Sequence, residues 1–140
     1  MAFTGNAFCT SAKVGFLTGT YVPLTDTMKI ALYTNSATLN GTTTAYSATN
    51  EVVGTGYTAG GNTLTGNAIS YSGTTAWITF SDSSWTTATI TARGALIYDS
   101  SKSNAAIAVL DFGADKTSTA GTFTVQMPAA AASTALIRIA

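Results

Sequence analysis

Apolar and polar residues alternate with a period of two along most of the chain, the pattern of half-buried β-strands. In residues 27–34, Met28, Ile30 and Leu32 fall on one face and Lys29, Ala31 and Tyr33 on the other. Ala76, Ile78 and Phe80 alternate with Trp77 and Thr79. Ala88 and Ile90 alternate with Thr87, Thr89 and Thr91, and Phe123, Val125 and Met127 with Thr122, Thr124 and Gln126. Residues 105–112 are apolar on both phases, Ile107 and Val109 against Leu110 and Phe112, which predicts a central strand covered on both sides. Further strands are expected from Glu51 to Val53, over 63–71 with a kink at Gly66-Asn67, over 92–98 after a bend at Arg93-Gly94, and over 135–139 with Ile137 and Ile139 inward.

Turn signals separate these runs: Asn40-Gly41, Ser72-Gly73, Asp82-Ser83-Ser84 and the polar stretch Asp99–Asn104. Residues 113–121 read as a loop, and Pro128 ends a strand or confines it to an edge. About eight or nine short strands at this spacing predict an all-β, antiparallel β-sandwich. The N-terminus differs. Residues 1–7 are weakly patterned and read as an arm. From Cys9 to Leu17 the spacing is loosely helical, with Phe8, Ala12 and Phe16 four apart and Gly19 as a stop. The expected organisation is an arm with a short helix over 1–20 and one sandwich domain over 21–140.

Composition narrows the chemistry. Threonine, β-branched and hydroxylated, fills 28 of 140 positions, and it suits the outer face of a pleated sheet. Histidine is absent and Cys9 is the sole cysteine, so no disulfide can form within the chain. Twelve side chains carry charge: Lys13, Asp26, Lys29, Glu51, Asp82, Arg93, Asp99, Lys102, Asp111, Asp115, Lys116 and Arg138. At 9% this is far below the usual figure of about 25%, and the net charge is zero. Sparse, balanced charge favours association. Without a Lys/Arg cluster the footprint of a nucleic-acid binder is missing. No apolar run is long enough to span a bilayer, and Met1–Asn6 lacks the features of a secretory signal, so neither membrane nor secretion is expected.

Chemical motifs reduce to structure. Gly54-Thr55-Gly56-Tyr57-Thr58-Ala59-Gly60 has its third glycine one residue late for a dinucleotide fingerprint, and no amphipathic helix follows; it reads as a sharp reversal between strands. Asp111-Phe112-Gly113 has the letters of a kinase magnesium motif without its other parts. Asp99, Asp111 and Asp115 are isolated, with Lys102 and Lys116 nearby, and read as solvated turn residues instead of calcium ligands. A zinc site would lack its two commonest ligand types, and histidine-assisted nucleophilic catalysis is impossible. No catalytic, metal or cofactor residue is expected, and the chain reads as non-enzymatic.

Four aromatic residues stand as interface candidates. Trp77 falls opposite Ala76, Ile78 and Phe80, so it is either an outward anchor or buried in a strand covered on both faces. Trp85 follows a polar turn and is an anchor or a cap on one end of the core. Phe3 and Phe8 either dock the arm on a neighbour or pack back on their own domain.

Several blocks, taken together, resemble a family of small tailed-bacteriophage virion proteins: Met1-Ala-Phe-Thr-Gly-Asn-Ala-Phe-Cys-Thr10, Met28-Lys-Ile-Ala-Leu-Tyr-Thr34, Asn50-Glu-Val-Val-Gly-Thr-Gly-Tyr-Thr-Ala-Gly-Gly61, Thr91-Ala-Arg-Gly-Ala-Leu-Ile-Tyr98 and Ala135-Leu-Ile-Arg-Ile-Ala140. The resemblance is weakest between Leu64 and Thr75. It is to the capsid cement, or decoration, proteins of short-tailed phages. It implies a jelly-roll sandwich made in the host cytoplasm and bound to the outer surface of the capsid. The partners it implies are the major capsid protein and further copies of itself, a dimer ahead of a trimer. A neck, tail or baseplate component is the alternative within virions. A carbohydrate-binding host-attachment module is the alternative from another class, with Tyr57, Trp77 or Trp85 as its platform.

Overall fold

The computed structural model describes residues 3–140. Met1 and Ala2, the first residues of the expected arm, lie outside the described residues. In chain order the elements are β1 (Ala7–Phe8), α1 (Thr10–Leu17), β2 (Met28–Tyr33), β3 (Asn62–Thr63), β4 (Ala68–Ser72), β5 (Thr75–Thr79), β6 (Ser83–Asp99), β7 (Ala105–Val125) and β8 (Ile137–Ile139). The strands form two antiparallel sheets, a larger one in the order β1-β7-β6-β2-β3 and a smaller one in the order β4-β5-β8. The chain is all-β with one short helix, as the alternation predicts. A single apolar core draws on both sheets, with Ile30 and Leu32 from β2, Leu96 and Ile97 from β6, Ile107 and Val109 from β7, and Ile78 and Ile137 from the smaller sheet.

The larger sheet is organised by one hairpin. β6 has 17 residues and β7 has 21, where about five or six is usual. They pair from Asp99↔Ala105 at the turn to Ser83↔Val125 at the far end, with four interruptions of register. At the turn, Ser103 and Asn104 both adopt left-handed φ of 56°. The half of the hairpin near this turn is apolar on both faces: Ala95–Tyr98 of β6 and Ala106–Val109 of β7 are all buried. In the far half, Trp85, Ala88 and Ile90 point inward while Ser84, Thr86, Thr89 and Thr91 face solvent.

Four expectations change here, one being the strand from Glu51 to Val53, where only Glu51 makes a bridge, to Tyr33. Residues 113–121 are not a loop but continue β7. Hydroxyls replace apolar packing along this stretch: Thr91 Oγ1 lies 3.1 Å from Thr117 Oγ1, Ser118 Oγ donates to the Ala88 carbonyl at 2.8 Å, and the Ala120 amide donates to Thr89 Oγ1 at 3.1 Å. Arg93-Gly94 does not divide β6 into two strands. Gly94 is required because the Phe3 ring and the Leu110 carbonyl occupy the space a Cβ would need. The strand expected over 63–71 is two, β3 and β4, and they belong to different sheets.

The N-terminal segment is fastened to the same core. Phe3 is 1% exposed and bridges to Leu39, the Gly5 amide donates to Asp111 Oδ2 at 3.1 Å, and the Asp111 amide donates to Asn6 Oδ1 at 2.7 Å. β1 pairs with β7, and the Cys9 amide donates to the Ile107 carbonyl at 3.0 Å. Helix α1 then lays Ala12 and Gly15 inward and leaves Val14 and Leu17 in solvent. Burial pushes the Cys9 thiol up to about 11.

Asp99 is not a solvated turn residue; it is fully buried. Its Oδ1 accepts from the Ser101 amide and hydroxyl at 3.0 and 2.6 Å, and no donor faces its Oδ2. Burial and the neighbouring Asp26 push Asp99 up, whereas Asp26, despite burial, is held down by the hydrogen bond from Asp99, by the Val22 amide and by Lys102.

Candidate interaction surface

Eight large hydrophobic side chains are exposed among the described residues. Seven of them are Val14 and Leu17 of α1, Val22 and Leu24 of the segment after it, and Ile69, Tyr71 and Ile139 of the smaller sheet; the eighth is Val53. Scattered surface hydrophobes are normal, but Leu17, Val22, Ile69 and Ile139 line neighbouring clefts between α1 and the smaller sheet, and such a cluster is characteristic of an interaction surface. The cluster follows from register. Ile69 pairs with Ile78 and Ile78 with Ile137, while Tyr71 pairs with Ala76 and Ala76 with Ile139. Opposed residues of antiparallel strands share a face, so these six form two apolar rows across the sheet. The first row closes on the core through Ile78 and Ile137. The second overhangs it. Ile139 is therefore 58% exposed and Tyr71 77%, which corrects the expectation that Ile139 points inward.

Two clefts join this face to the helix. One, of about 320 Å³, lies between Phe16, Tyr21 and Val22 on one side and Ile69, Ile137 and Ile139 on the other. The second, of about 300 Å³, is lined by Phe8, Phe16, Leu17 and Ile139, with Lys13 and Arg138 on its rim. Phe8, Phe16 and Tyr21 meet edge to face at 5.8 and 5.6 Å, and Lys13 Nζ stands 5.8 Å from the Phe8 ring centre. The rim is basic and the floor apolar.

Of the four aromatic candidates, two belong to the interior. Phe3 packs back on its own domain. Trp85, 4% exposed, packs against Tyr57 at 5.9 Å and Phe123 at 6.3 Å between ring centres, capping the core. Neither is an anchor at this surface. Phe8 is half-buried in the wall of the second cleft. Trp77 is half-buried on β5, paired with Ser70 and Arg138, and contributes to the lining of the first cleft. The structure does not bring the four together. The residues missed from sequence are Leu17, Ile69, Tyr71 and Ile139; the period-two spacing of Ile69 with Tyr71 and of Ile137 with Ile139 was the available signal.

The one dense polar cluster is internal. Glu51, nearly buried, accepts hydrogen bonds from Tyr46 Oη at 2.6 Å, Tyr57 Oη at 2.5 Å and the Gly60 amide at 2.7 Å. Tyr57 Oη also accepts from the Leu32 amide at 2.9 Å, and Tyr98 Oη donates to the Gly60 carbonyl at 2.7 Å. Burial, then the Glu51 carboxylate, push the Tyr46 and Tyr57 phenols well above their ordinary value. These hydrogen bonds are all made within the chain, and they tie the loop after Glu51 to β2 and β6.

The other surface depressions offer little polar chemistry. A groove of about 610 Å³ along β7 contains Lys116 as its one charged side chain, and one of about 510 Å³ beside β1 and β8 contains Arg138. No group of three metal-ligating side chains occurs among the described residues. Comparison with protein-family models, curated proteins and solved structures finds no match to this chain.

Proposed function

We propose that the protein is a non-enzymatic capsid decoration protein, a jelly-roll-type sandwich that binds the outside of a phage head and joins neighbouring major-capsid subunits. The observation that carries this reading is the concentration of exposed apolar side chains on α1 and the smaller sheet. Such a surface loses apolar area to a partner at roughly 25 cal/mol per Å², and repeated copies on a lattice multiply modest contacts. The resemblance to phage virion proteins supplies the identity of the partner. Lys13 and Arg138 at the rim specify its character: a flat apolar patch edged with acidic groups.

Purified chain added to undecorated heads tests the reading. Saturable binding at hundreds of copies per particle is expected, together with greater resistance of the heads to heat. Binding at a dozen copies or fewer would instead place the protein at the neck, tail or baseplate. Absence of binding to any virion part would sink the proposal.

A further inference from the structure

We propose that two copies of this chain pair antiparallel through the free edge of β4 about a twofold axis at Ser70, making the smaller sheet six-stranded. The partner inferred here deepens the decoration reading, which supplies the function of the joined face; the pairing itself can be tested without capsids.

Sheet edges are ready templates for another strand, and proteins usually block them. Most edges here are blocked. β1 and β3 have two residues each, and β8 has three and carries Arg138. The outer edge of β7 carries Asp111, Asp115 and Lys116 and runs along the part of the hairpin where register is interrupted. β4 has none of these defences. It pairs with β5 through five consecutive residues without a shift, is exposed along its length, and lacks proline and charge. No charged residue occurs anywhere between Glu51 and Asp82.

The geometry selects the register. Ser72 and Thr75 flank a two-residue turn led by Gly73 at φ 58°, an arrangement that makes them a hydrogen-bonded pair. Alternation then directs the backbone groups of Ser72, Ser70 and Ala68 toward β5 and those of Ile69 and Tyr71 outward. A twofold at Ser70 places Ile69 of each copy opposite Tyr71 of the other, so four outward N–H groups meet four carbonyls. This also opposes a β-branched to an aromatic side chain, a favourable cross-strand pair. The two apolar rows continue across the axis: Ile139, Ala76 and Tyr71 of one copy run into Ile69, Ile78 and Ile137 of the other. A copy slipped by one residue would lose this continuity. Charge decides the occupant as well, since the basic rim at Lys13 and Arg138 would repel its own copy while the β4 edge meets itself with no charge at all.

The full chain should have a two-chain mass in sedimentation equilibrium. Ile69→Lys and Tyr71→Lys should each raise the dissociation constant by more than about tenfold, because each breaks the apolar Ile69–Tyr71 cross-strand pairs and sets two like charges about 7–8 Å apart on the diagonal across the axis. Both side chains are exposed, so melting of the single chain should stay unchanged. Ser70→Cys provides a reading independent of these variants. The two positions face each other in a non-hydrogen-bonded pair with Cα atoms about 4.5 Å apart, within disulfide range. Mild oxidation should link the chains at position 70, mapped by peptide analysis. Ser72→Cys should not link to itself, since its mate lies about 13 Å away along the strand. A one-chain mass at the highest attainable concentration would overturn the proposal, as would a dimer that tolerates both lysines and fails to cross-link at position 70. Dimer without capsid binding leaves this inference standing and removes the decoration reading; capsid binding by a monomer does the reverse.

Discussion

The environment of Glu51 and the face around Ile139 treat unlike groups in opposite ways. Around Glu51 a carboxylate, phenols and a backbone amide are taken out of water, and each finds a partner inside the chain. Around Ile139 apolar side chains that could have been covered are left in water. The first arrangement is complete in a single chain, because a buried polar cage tolerates no missing member. The second has no cover within the chain. On the proposed reading, stability and association reside in separate parts of a small molecule, and substitutions should separate them.

The largest effect is expected at the cage. Glu51→Ala leaves two phenols and the Gly60 amide without their acceptor, and should lower unfolding free energy by about 3 kcal/mol or more in urea titration. Glu51→Gln keeps one acceptor oxygen and should lose less. Equal losses would show that the carboxylate itself, and not its hydrogen bonds, holds the loop. At the apolar face the order reverses. Leu17→Asp and Ile139→Asp should each change stability by no more than about 0.5 kcal/mol, since both side chains are already solvated, while weakening head binding at least about tenfold. Measured losses in stability as large as those at Glu51 would erase the distinction between the two regions.

A smaller effect concerns two acids, Asp99 buried and Asp111 half-buried, which respond to pH with opposite signs. Asp99 is pushed up on folding, so the stability it contributes is fully present below its unfolded value of about 3.9 and is lost as pH rises through its folded value. Asp111 is held down, first by the Gly113 amide and then by Arg93 at 3.0 Å, so its contribution is present above about 3.9 and is lost as pH falls through the folded value. Asp99→Asn carries its donor at every pH. It should lie within about 1 kcal/mol of the wild type at neutral pH and should remove the decline above about pH 4. A denaturation midpoint that follows pH identically in both proteins would exclude a shared proton between Asp26 and Asp99.

Fold class was legible because alternation survives where one face meets the core, as at Ile78–Phe80 and Phe123–Val125, although β2 is buried on both faces, with Ala31 and Tyr33 as covered as Ile30 and Leu32. The pattern failed where pairing does not depend on apolar packing. Residues 113–121 extend β7 through threonine and serine hydroxyls, and sequence shows these only as polar loop residues. The candidate surface was half legible. Aromatic size drew Phe3 and Trp85 into the list of anchors, yet size equally suits the interior, and both are interior. Ile139 looked inward because its strand mate Ile137 is; only the overhang of the second row reveals otherwise. Glu51 passed unnoticed as the first residue of a short strand, although Tyr46 and Tyr57 flank it within six positions.

The tight turn between β6 and β7 has a consequence for how the molecule reaches its shape. The most extensive pairing in the fold joins strands separated by only five residues, 100–104, so it can zip at small loop-closure cost. β2 must cross a far longer span to reach the same sheet. The expected order of events is thus hairpin first and β2 later, nucleated at the turn that holds the left-handed Ser103 and Asn104. Asn104→Val, strained at φ 56°, should slow refolding more than it speeds unfolding; Ile30→Val in β2 should do the opposite. In that order the turn would form before the exposed apolar face of α1 and the smaller sheet is assembled, so the proposed association would wait until each copy is nearly finished.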